Sequence, residues 1–198
     1  MSTAATILDK PARERILLTA HDLFYRDGIR ATGVDKVIAE AGVSKVTFYR
    51  HFPSKNDLIR AFLDYRHQRW ISWFEDALQR HGARRGEGLL PLVAAMEEWF
   101  NNPVYRGCAF INTTAELGDT LPDALSICRN HKQDMVKIIA ELLPDCKSRI
   151  ELANAAAVAI DGAIVRAQLE CNQTDARTAL QSLAVIMSAL NLFRAFIP

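Results

Sequence analysis

Three closely spaced helix breaks lie near the start of this chain. Gly28, Gly42 and Pro53 interrupt a sequence whose apolar residues otherwise recur every three to four positions, as on one face of an α-helix. Three short helices joined by tight turns must pack on one another to bury those faces. We therefore expect a small helical unit at this end of the chain.

The first two breaks predict where the first two helices end and begin. A first helix runs from about Ala12 to Arg26, and Asp27-Gly28 supplies a left-handed cap at its C-terminus. A second, short helix follows Thr32, whose hydroxyl we expect to accept from the free amides of the first turn.

The third segment, SKVTFYRHF, begins at Ser44 as a helix cap and stops before Pro53. Helix, tight glycine turn and helix form the helix-turn-helix pattern of DNA-binding proteins. A helix of eight residues is about 12 Å long, which suits the width of the DNA major groove.

The residue types on this segment suit contacts to both the base edges and the phosphates of a DNA duplex. Ser44, Lys45 and Thr47 lie at the N-terminal end, where a recognition helix meets base edges, and Lys45 is a donor suited to guanine O6 and N7. Phosphate oxygens are the expected partners of a second group: Thr32, Tyr49, His51 and Lys55.

Net charge becomes informative only when the chain is divided. Lys and Arg number 24 and Asp and Glu 23, a net charge of +1 that argues against nucleic acid. Residues 1–70 carry 12 basic and 8 acidic side chains, a net charge of +4, whereas residues 71–198 carry 12 and 15, a net charge of −3. The positive charge therefore accompanies the helix-turn-helix segment, as DNA binding requires.

The segment ATGVDKVIAEAGVSKVTFYRHFPSKNDLI, residues 31–59, resembles the DNA-binding segment of the TetR family of bacterial transcriptional regulators. Two residues depart from the commonest form: Val46 stands where Gly is frequent, and Ile38 where Ala is frequent. Seven residues match the DNA-contacting positions of the family: Thr32, Ser44, Lys45, Thr47, Tyr49, His51 and Lys55.

The resemblance implies an all-α subunit of about nine helices. Residues 1–53 would form the helix-turn-helix domain and residues 54–198 a larger helical bundle for effector binding and dimerisation. It also implies a homodimer that binds a palindromic operator, usually as a repressor, and is released when a small-molecule effector changes the separation of the two DNA-binding units.

The remaining periodicity predicts helices near 55–79, 89–100, 110–117, 123–142, 150–170 and 175–196. The last two are apolar around more than one face, so one face covers the core and another needs a partner. Two ordinary core helices in a monomer are the alternative. The dimer interface is predicted to use Ala156, Ala159, Gly162, Ala163, Ala167, Leu183, Ile186, Leu190 and Phe193.

The segment YRGCAFINTTAEL, residues 105–117, resembles a pattern of TetR-like effector domains. Cys108 follows Arg106 and is a candidate sensor of oxidants or electrophiles, the alternative being an inert core thiol. A hydrophobic or aromatic effector is expected among Trp70, Phe74, Trp99, Phe100, Cys108, Phe110, Asn112, Glu116, His131, Met135, Arg166 and Gln168, although each is also a plausible core residue.

Other classes of protein are less well supported. A helical-bundle enzyme would draw on Glu116, His131 and Asp134, but no nucleophile or metal-binding spacing accompanies them, and a helical interaction module would leave the basic segment unused. Four cysteines without a C-x-x-C pair predict free thiols and no metal or cofactor. No membrane span or signal sequence is recognised, so we expect a cytoplasmic protein.

Overall fold

A computed structural model describes residues 9–169 and 173–193. These residues form nine α-helices and no strand, which confirms the predicted all-α class. The helices are α1 Ala12–Asp27, α2 Val34–Glu40, α3 Lys45–His51, α4 Lys55–Arg80, α5 Pro91–Phe100, α6 Ala109–Leu117, α7 Pro122–Leu142, α8 Arg149–Leu169 and α9 Gln173–Phe193. Within the described ranges, no helix combines the length and apolar character that crossing a membrane requires.

Helix α1 ends at Gly28 in a conformation that only glycine tolerates. The Gly28 amide donates to the Phe24 carbonyl at 3.1 Å, and its φ of 90° is positive as predicted. Its ψ of 155° lies outside the left-handed helical region, so the predicted left-handed cap is corrected to an extended exit. The chain therefore leaves α1 sharply and turns toward α2.

The start of α2 also differs from the prediction. The cap residue is Gly33, and no side chain hydrogen-bonds to the first-turn amides. Thr32 is fully buried, and its hydroxyl donates to the Gly28 carbonyl at 2.7 Å. Thr32 is therefore not a helix cap: it closes the α1–α2 turn, because its hydroxyl is turned back toward the end of α1.

The cap predicted at Ser44 is confirmed, and Ser54 caps the next helix in the same way. Ser44 Oγ accepts from the Thr47 amide at 3.1 Å at the start of α3. Ser54 Oγ accepts from the Asp57 amide at 3.1 Å and donates to the Asp57 carboxylate at 2.6 Å at the start of α4. Each cap satisfies an amide that the helix itself leaves without a partner.

The described chain divides into two compact units. Residues 9–68 and 109–128 form the first, here called the head unit, and residues 69–108, 129–169 and 173–193 form the second, the body unit. Helix α4 contributes to both, since its first half belongs to the head unit and its second half to the body unit. The sequence-derived boundary after Pro53 marks the end of the helix-turn-helix segment and stays a prediction.

Candidate functional site

The orientation of α3 is fixed by its aromatic residues. Phe48 is fully buried and Phe52, just after the helix, is 2% exposed, so this side of α3 faces the core of the head unit. Phe48 and Phe52 also contact one another, with ring centroids 6.3 Å apart. The opposite face is turned to solvent and carries the side chains of Lys45, Val46, Tyr49 and Arg50.

The outward face of α3 carries weakly engaged polar groups. Lys45 Nζ lies 3.8 Å from the Asp35 carboxylate, and both side chains are mostly exposed, so the ion pair contributes little free energy. Tyr49 is 42% exposed, and its ring packs edge-on against Phe48 at 5.2 Å. Lys45 and Tyr49 are thus positioned by the helix, with their polar ends facing outward.

Two of the seven predicted DNA-contacting residues are engaged inside the head unit. Thr32 is buried, as described above. Lys55 is half-buried: its ammonium donates to the Ile29 carbonyl at 2.6 Å and lies 6.0 Å from the centroid of the Phe24 ring. Burial lowers the pKa of Lys55 from its ordinary value, while the nearby Glu116 carboxylate opposes that shift. Thr32 and Lys55 therefore stabilise the α1–α2 turn, on which the helix-turn-helix depends.

Glu116 on α6 is a head-unit residue that the sequence did not identify as such. Its carboxylate accepts from the Arg30 amide at 2.8 Å, and Oε1 lies 3.4 Å from where a Cβ at Gly28 would stand. Together with Lys55 and Thr32, it fixes the α1–α2 turn through main-chain groups. We call these three side chains the turn clasp. Because Glu116 and Arg30 are 86 residues apart, no local sequence pattern predicts this contact.

Other charges beside the helix-turn-helix neutralise one another. Hydrogen bonds from Arg26 and Lys36 hold the pKa of Asp27 well below its ordinary value. The Asp27 carboxylate lies 2.8 Å from both the Arg26 Nε and the Lys36 Nζ. These cations are therefore already paired, which leaves the α3 face as the better candidate for an external anion.

Most residues predicted for effector binding lie in the body unit. Eight of the twelve are buried: Trp70, Phe74, Trp99, Phe100, Cys108, Phe110, His131 and Met135. Arg166 and Gln168 are exposed, which argues against an enclosed site for their side chains. Phe110, Asn112 and Glu116 belong to the head unit and the other nine to the body unit.

All three tryptophans of the chain meet in the body unit. Trp70 stacks on Phe74 at a centroid distance of 4.7 Å and lies 5.5 Å from Trp99 and 5.0 Å from His131. Trp73 lies 5.9 Å from Trp99, and its indole N–H donates to Glu98 at 3.1 Å. The indole nitrogen of Trp70 is buried and has no hydrogen-bond partner among the described residues.

Cys108 is buried directly before α6. The Lys132 ammonium hydrogen-bonds to the Asp161 carboxylate at 2.5 Å. Burial opposes protonation of Lys132, but the adjacent Cys108 and Asp161 outweigh it and raise the pKa of Lys132 above its ordinary value. The body unit thus places a thiol beside a half-buried ion pair, and a sensing role for Cys108 stays a prediction.

The outward faces of α8 and α9 differ from those predicted. Ala156, Ala163, Ala167 and Leu183 are buried within the chain, so their predicted contact with a partner is corrected to core packing. Ala159 and Leu190 are half-buried, Gly162 and Ile186 are exposed, and the side chain of Phe193 lies outside the described residues.

Apolar residues face solvent along one side of each of these two helices. We call it the apolar stripe: Val158, Gly162, Val165 and Leu169 on α8, with Val185, Ala189 and Leu192 on α9. Their spacings of three and four residues place each set along one helix face. Val158, Leu169, Val185 and Leu192 are each between 67% and 75% exposed. On α8 the stripe shares Gly162 with the predicted interface, but Val158 lies two residues, and therefore about 200°, from the buried Ala156.

The residues considered for an enzyme have separate structural roles. Glu116 binds the Arg30 amide, His131 packs against Trp70, and Asp134 pairs with Lys137 at 2.7 Å. Across the described part of the chain, no three His, Cys, Asp or Glu side chains are grouped as a metal ion would require.

Comparison with known proteins agrees with this arrangement. Residues 16–62 match the model of the family described as "Bacterial regulatory proteins, tetR family". The chain is 34% identical over 89 residues to the HTH-type transcriptional activator FasR of Mycolicibacterium smegmatis, a match covering 45% of this chain and 39% of FasR. It is 24% identical to an HTH-type transcriptional regulator in the lacX 3' region of Lactococcus lactis subsp. lactis, covering 77% and 81% of the two chains.

Likeness to solved structures extends over nearly the whole chain. A TetR-family transcriptional regulator from Streptomyces coelicolor superposes with a TM-score of 0.77 at 26% identity, covering 91% of this chain and 96% of that one. The matched proteins are named as regulators, in agreement with the prediction of a regulator rather than an enzyme. The local pattern of α1–α3 and the fold of the whole chain agree: residues 16–62 carry the sequence pattern of the tetR family of bacterial regulatory proteins, and the chain has the fold of a TetR-family transcriptional regulator.

Proposed function

We propose that this protein is a homodimeric repressor that binds a palindromic operator through α3 and is released by a small-molecule effector. The observation that carries the proposal is the outward face of α3, where Lys45 and Tyr49 are exposed while Phe48 anchors the helix from behind. A short helix held rigidly by its core side, with donors on its free side, suits insertion into the major groove. Ser44 and Thr47 lie at the N-terminal end of this face and would approach base edges.

The direct test is binding to the DNA upstream of the protein's own gene, measured at several salt concentrations. Each neutralised phosphate releases condensed counterions, so the logarithm of the affinity should fall linearly with the logarithm of salt concentration, with a slope of about −0.9 per phosphate contact. A footprint with two-fold symmetry is expected. Absence of sequence-selective binding by the folded, effector-free protein, or binding that does not change with salt, would reject a DNA-binding role.

The apolar stripe supports the homodimer. Exposed Val and Leu side chains in rows along α8 and α9 leave apolar area that water covers poorly, and a second copy of the same surface would bury it around a two-fold axis. A two-fold dimer carries two copies of α3 and therefore recognises two inverted half-sites, spaced by one helical turn of DNA or a multiple of it.

Repression is proposed because an operator that overlaps a promoter blocks transcription when it is occupied. The sign depends on where the operator lies, and FasR is named as an activator. A promoter fused to a reporter gene decides between them. Deletion of the regulator should raise reporter output if the protein represses, and a fall in output would establish activation instead.

The tryptophan cluster supports an effector that is aromatic, uncharged and equipped with an acceptor oxygen. The rings of Trp70, Trp99 and Phe74 offer apolar faces, and the buried N–H of Trp70 needs a partner for its hydrogen. A charged ligand would lose much of its hydration among such rings.

A ligand screen can use these tryptophans directly. Candidate aromatic carbonyl compounds should quench the fluorescence and raise the melting temperature. Trp70→Phe should weaken binding by about 5-fold, the value of one hydrogen bond. Trp73→Phe is the matched control, since the Trp73 N–H is already bound to Glu98. Stabilisation by polar metabolites alone would overturn the proposed chemistry.

A further inference from the structure

Val46 is the most exposed large apolar side chain in the part of the chain that the structure describes, at 78%. It lies on the outward face of α3. Phe48, two residues further on, is fully buried, and two residues correspond to a rotation of about 200° around a helix. Val46 therefore stands almost opposite the buried side of α3, near the middle of the surface proposed to enter the groove.

The neighbours of Val46 on that surface are polar. Lys45 precedes it and extends an ammonium group outward. Thr47 follows it, and the Thr47 hydroxyl lies 2.9 Å from Ser44 Oγ, so Ser44 and Thr47 are held together at the start of the helix. Val46 is left as an apolar contact between polar ones. Its branched side chain has one strongly preferred rotamer in a helix and loses little freedom on contact.

We infer that Val46 is a specificity-determining residue that contacts the 5-methyl group of a thymine in each half-site. The inference rests on the proposed function, because it requires α3 to lie in the major groove. Among the groups that base pairs present there, the thymine methyl is the apolar one, whereas the other edges present donors and acceptors that valine cannot satisfy. The thymine should lie next to the base pair that Lys45 contacts, since the two residues are adjacent on one helix.

The expected change in DNA affinity follows from the burial of one methyl group. Burying a methyl group contributes about 0.8 kcal/mol, which corresponds to roughly a 4-fold change in affinity. A dimer contacts one such methyl in each half-site, so loss of both should change affinity by about 16-fold.

The test replaces thymine by deoxyuridine, which removes this methyl group and leaves base pairing intact. The probe is the tightest duplex that the full-length protein selects from a random pool. Symmetric substitution at one thymine position should weaken wild-type binding by about 16-fold, whereas Val46→Ala should bind the thymine and uracil duplexes almost equally. Substitution at thymines outside the half-sites serves as the control.

A second variant excludes a simple loss of folding. Val46→Thr keeps the branched shape but replaces one methyl with a hydroxyl, and circular dichroism should show both variants melting like the wild type, because residue 46 is exposed. If wild type and Val46→Ala lose the same factor at every thymine, the inference is overturned while DNA binding itself stands. If the wild type selects no sequence at all, the failure lies with the proposed function.

Discussion

The outward faces of α3 and of the α8–α9 pair both expose apolar side chains, but the residues around those side chains differ. On α3, Val46 stands among Lys45, Tyr49 and Arg50, and the face is short and mostly polar. On α8 and α9, the apolar stripe runs for several turns with Val, Leu, Ala and Gly in succession. A mixed face suits DNA, whose grooves combine charge, donors, acceptors and a few methyl groups, whereas a continuous apolar face suits another protein surface.

The distribution of charge supports the same distinction. The first 70 residues carry a net charge of +4 and the remaining 128 a net charge of −3. The basic part attracts a polyanion over distances of about one Debye length, ~10 Å at 0.1 M salt. Four substitutions, in order of decreasing expected effect, test whether the outward face of α3 binds DNA and the apolar stripe binds a second copy of the chain.

The largest effect is expected from placing a charge on the apolar stripe. Val158→Asp would bury an unpaired carboxylate in the proposed interface, so the dimer should dissociate. Loss of the second DNA-binding unit removes a gain in avidity on the order of 100-fold or more in operator affinity. Sedimentation and DNA titration measure the two losses together.

Val104→Asp is the matched control for this substitution, since Val104 is half exposed in the body unit but lies outside the stripe. It should remain dimeric and bind DNA normally. A Val158→Asp protein that stays dimeric at micromolar concentration would assign the stripe to some other role.

Lys45→Ala should have the next largest effect, because it removes a donor to a base edge. The expected cost is about 1–3 kcal/mol at the contacted base pair, or roughly 5- to 150-fold, together with a relaxed preference at that position. Lys137→Ala removes the same charge from an exposed site in the body unit and should leave operator affinity nearly unchanged. Equal losses in the two variants would indicate a general charge effect instead of base readout.

Glu116→Ala tests the turn clasp through the direction in which it changes the affinity for DNA. Removing a carboxylate should by Coulomb attraction alone strengthen binding to DNA. We expect about 10-fold weaker binding instead, because the Arg30 amide loses a charged acceptor and the α1–α2 turn loses its position. Calorimetry should also show a lower melting temperature.

Asp119→Ala is the control for Glu116→Ala, since it removes an exposed carboxylate from the same unit. Its affinity for DNA should be equal to or slightly above that of the wild type. Tighter binding by Glu116→Ala as well would show that the clasp does not position the helix-turn-helix.

The smallest effect is expected from Tyr49→Phe, which deletes one hydroxyl and retains the ring packed against Phe48. Loss of a phosphate hydrogen bond should weaken binding by about 2- to 10-fold, and by a similar factor for all DNA sequences tested. Competition titrations with specific and nonspecific duplexes measure this directly. A change in base preference would move Tyr49 from the phosphate-binding group to the base-reading group.

The sequence predicted the helices well because the signals that begin and end them are local. Gly28, Ser44 and Ser54 act through their own backbone or through amides three residues away, so their roles depend little on the rest of the chain. The cap predicted at Thr32 was wrong, because a hydroxyl can hydrogen-bond to groups on either side of a turn. The α1–α2 geometry then decides which carbonyl or amide it reaches.

Residues whose roles depend on distant partners were not predictable in this way. Glu116 was expected to contact an effector, but it binds the main chain of Arg30. Lys55 was expected to contact phosphate, but its ammonium donates to the Ile29 carbonyl. A carboxylate or an ammonium is equally suited to either partner, so only the packing of α4 and α6 against the turn settles which one it meets.

The helical class, the order of the helices, the amphipathic character of α3 and the segregation of charge can all be predicted from the residues alone. Each of these follows from short-range periodicity or composition. Which side of α8 faces the core depends on the helices packed against it, because the periodicity of a helix that is apolar around most of its circumference does not single out one face. The alanine face went inward, where small side chains let helices approach closely, and the bulkier Val158 and Leu169 were left outside.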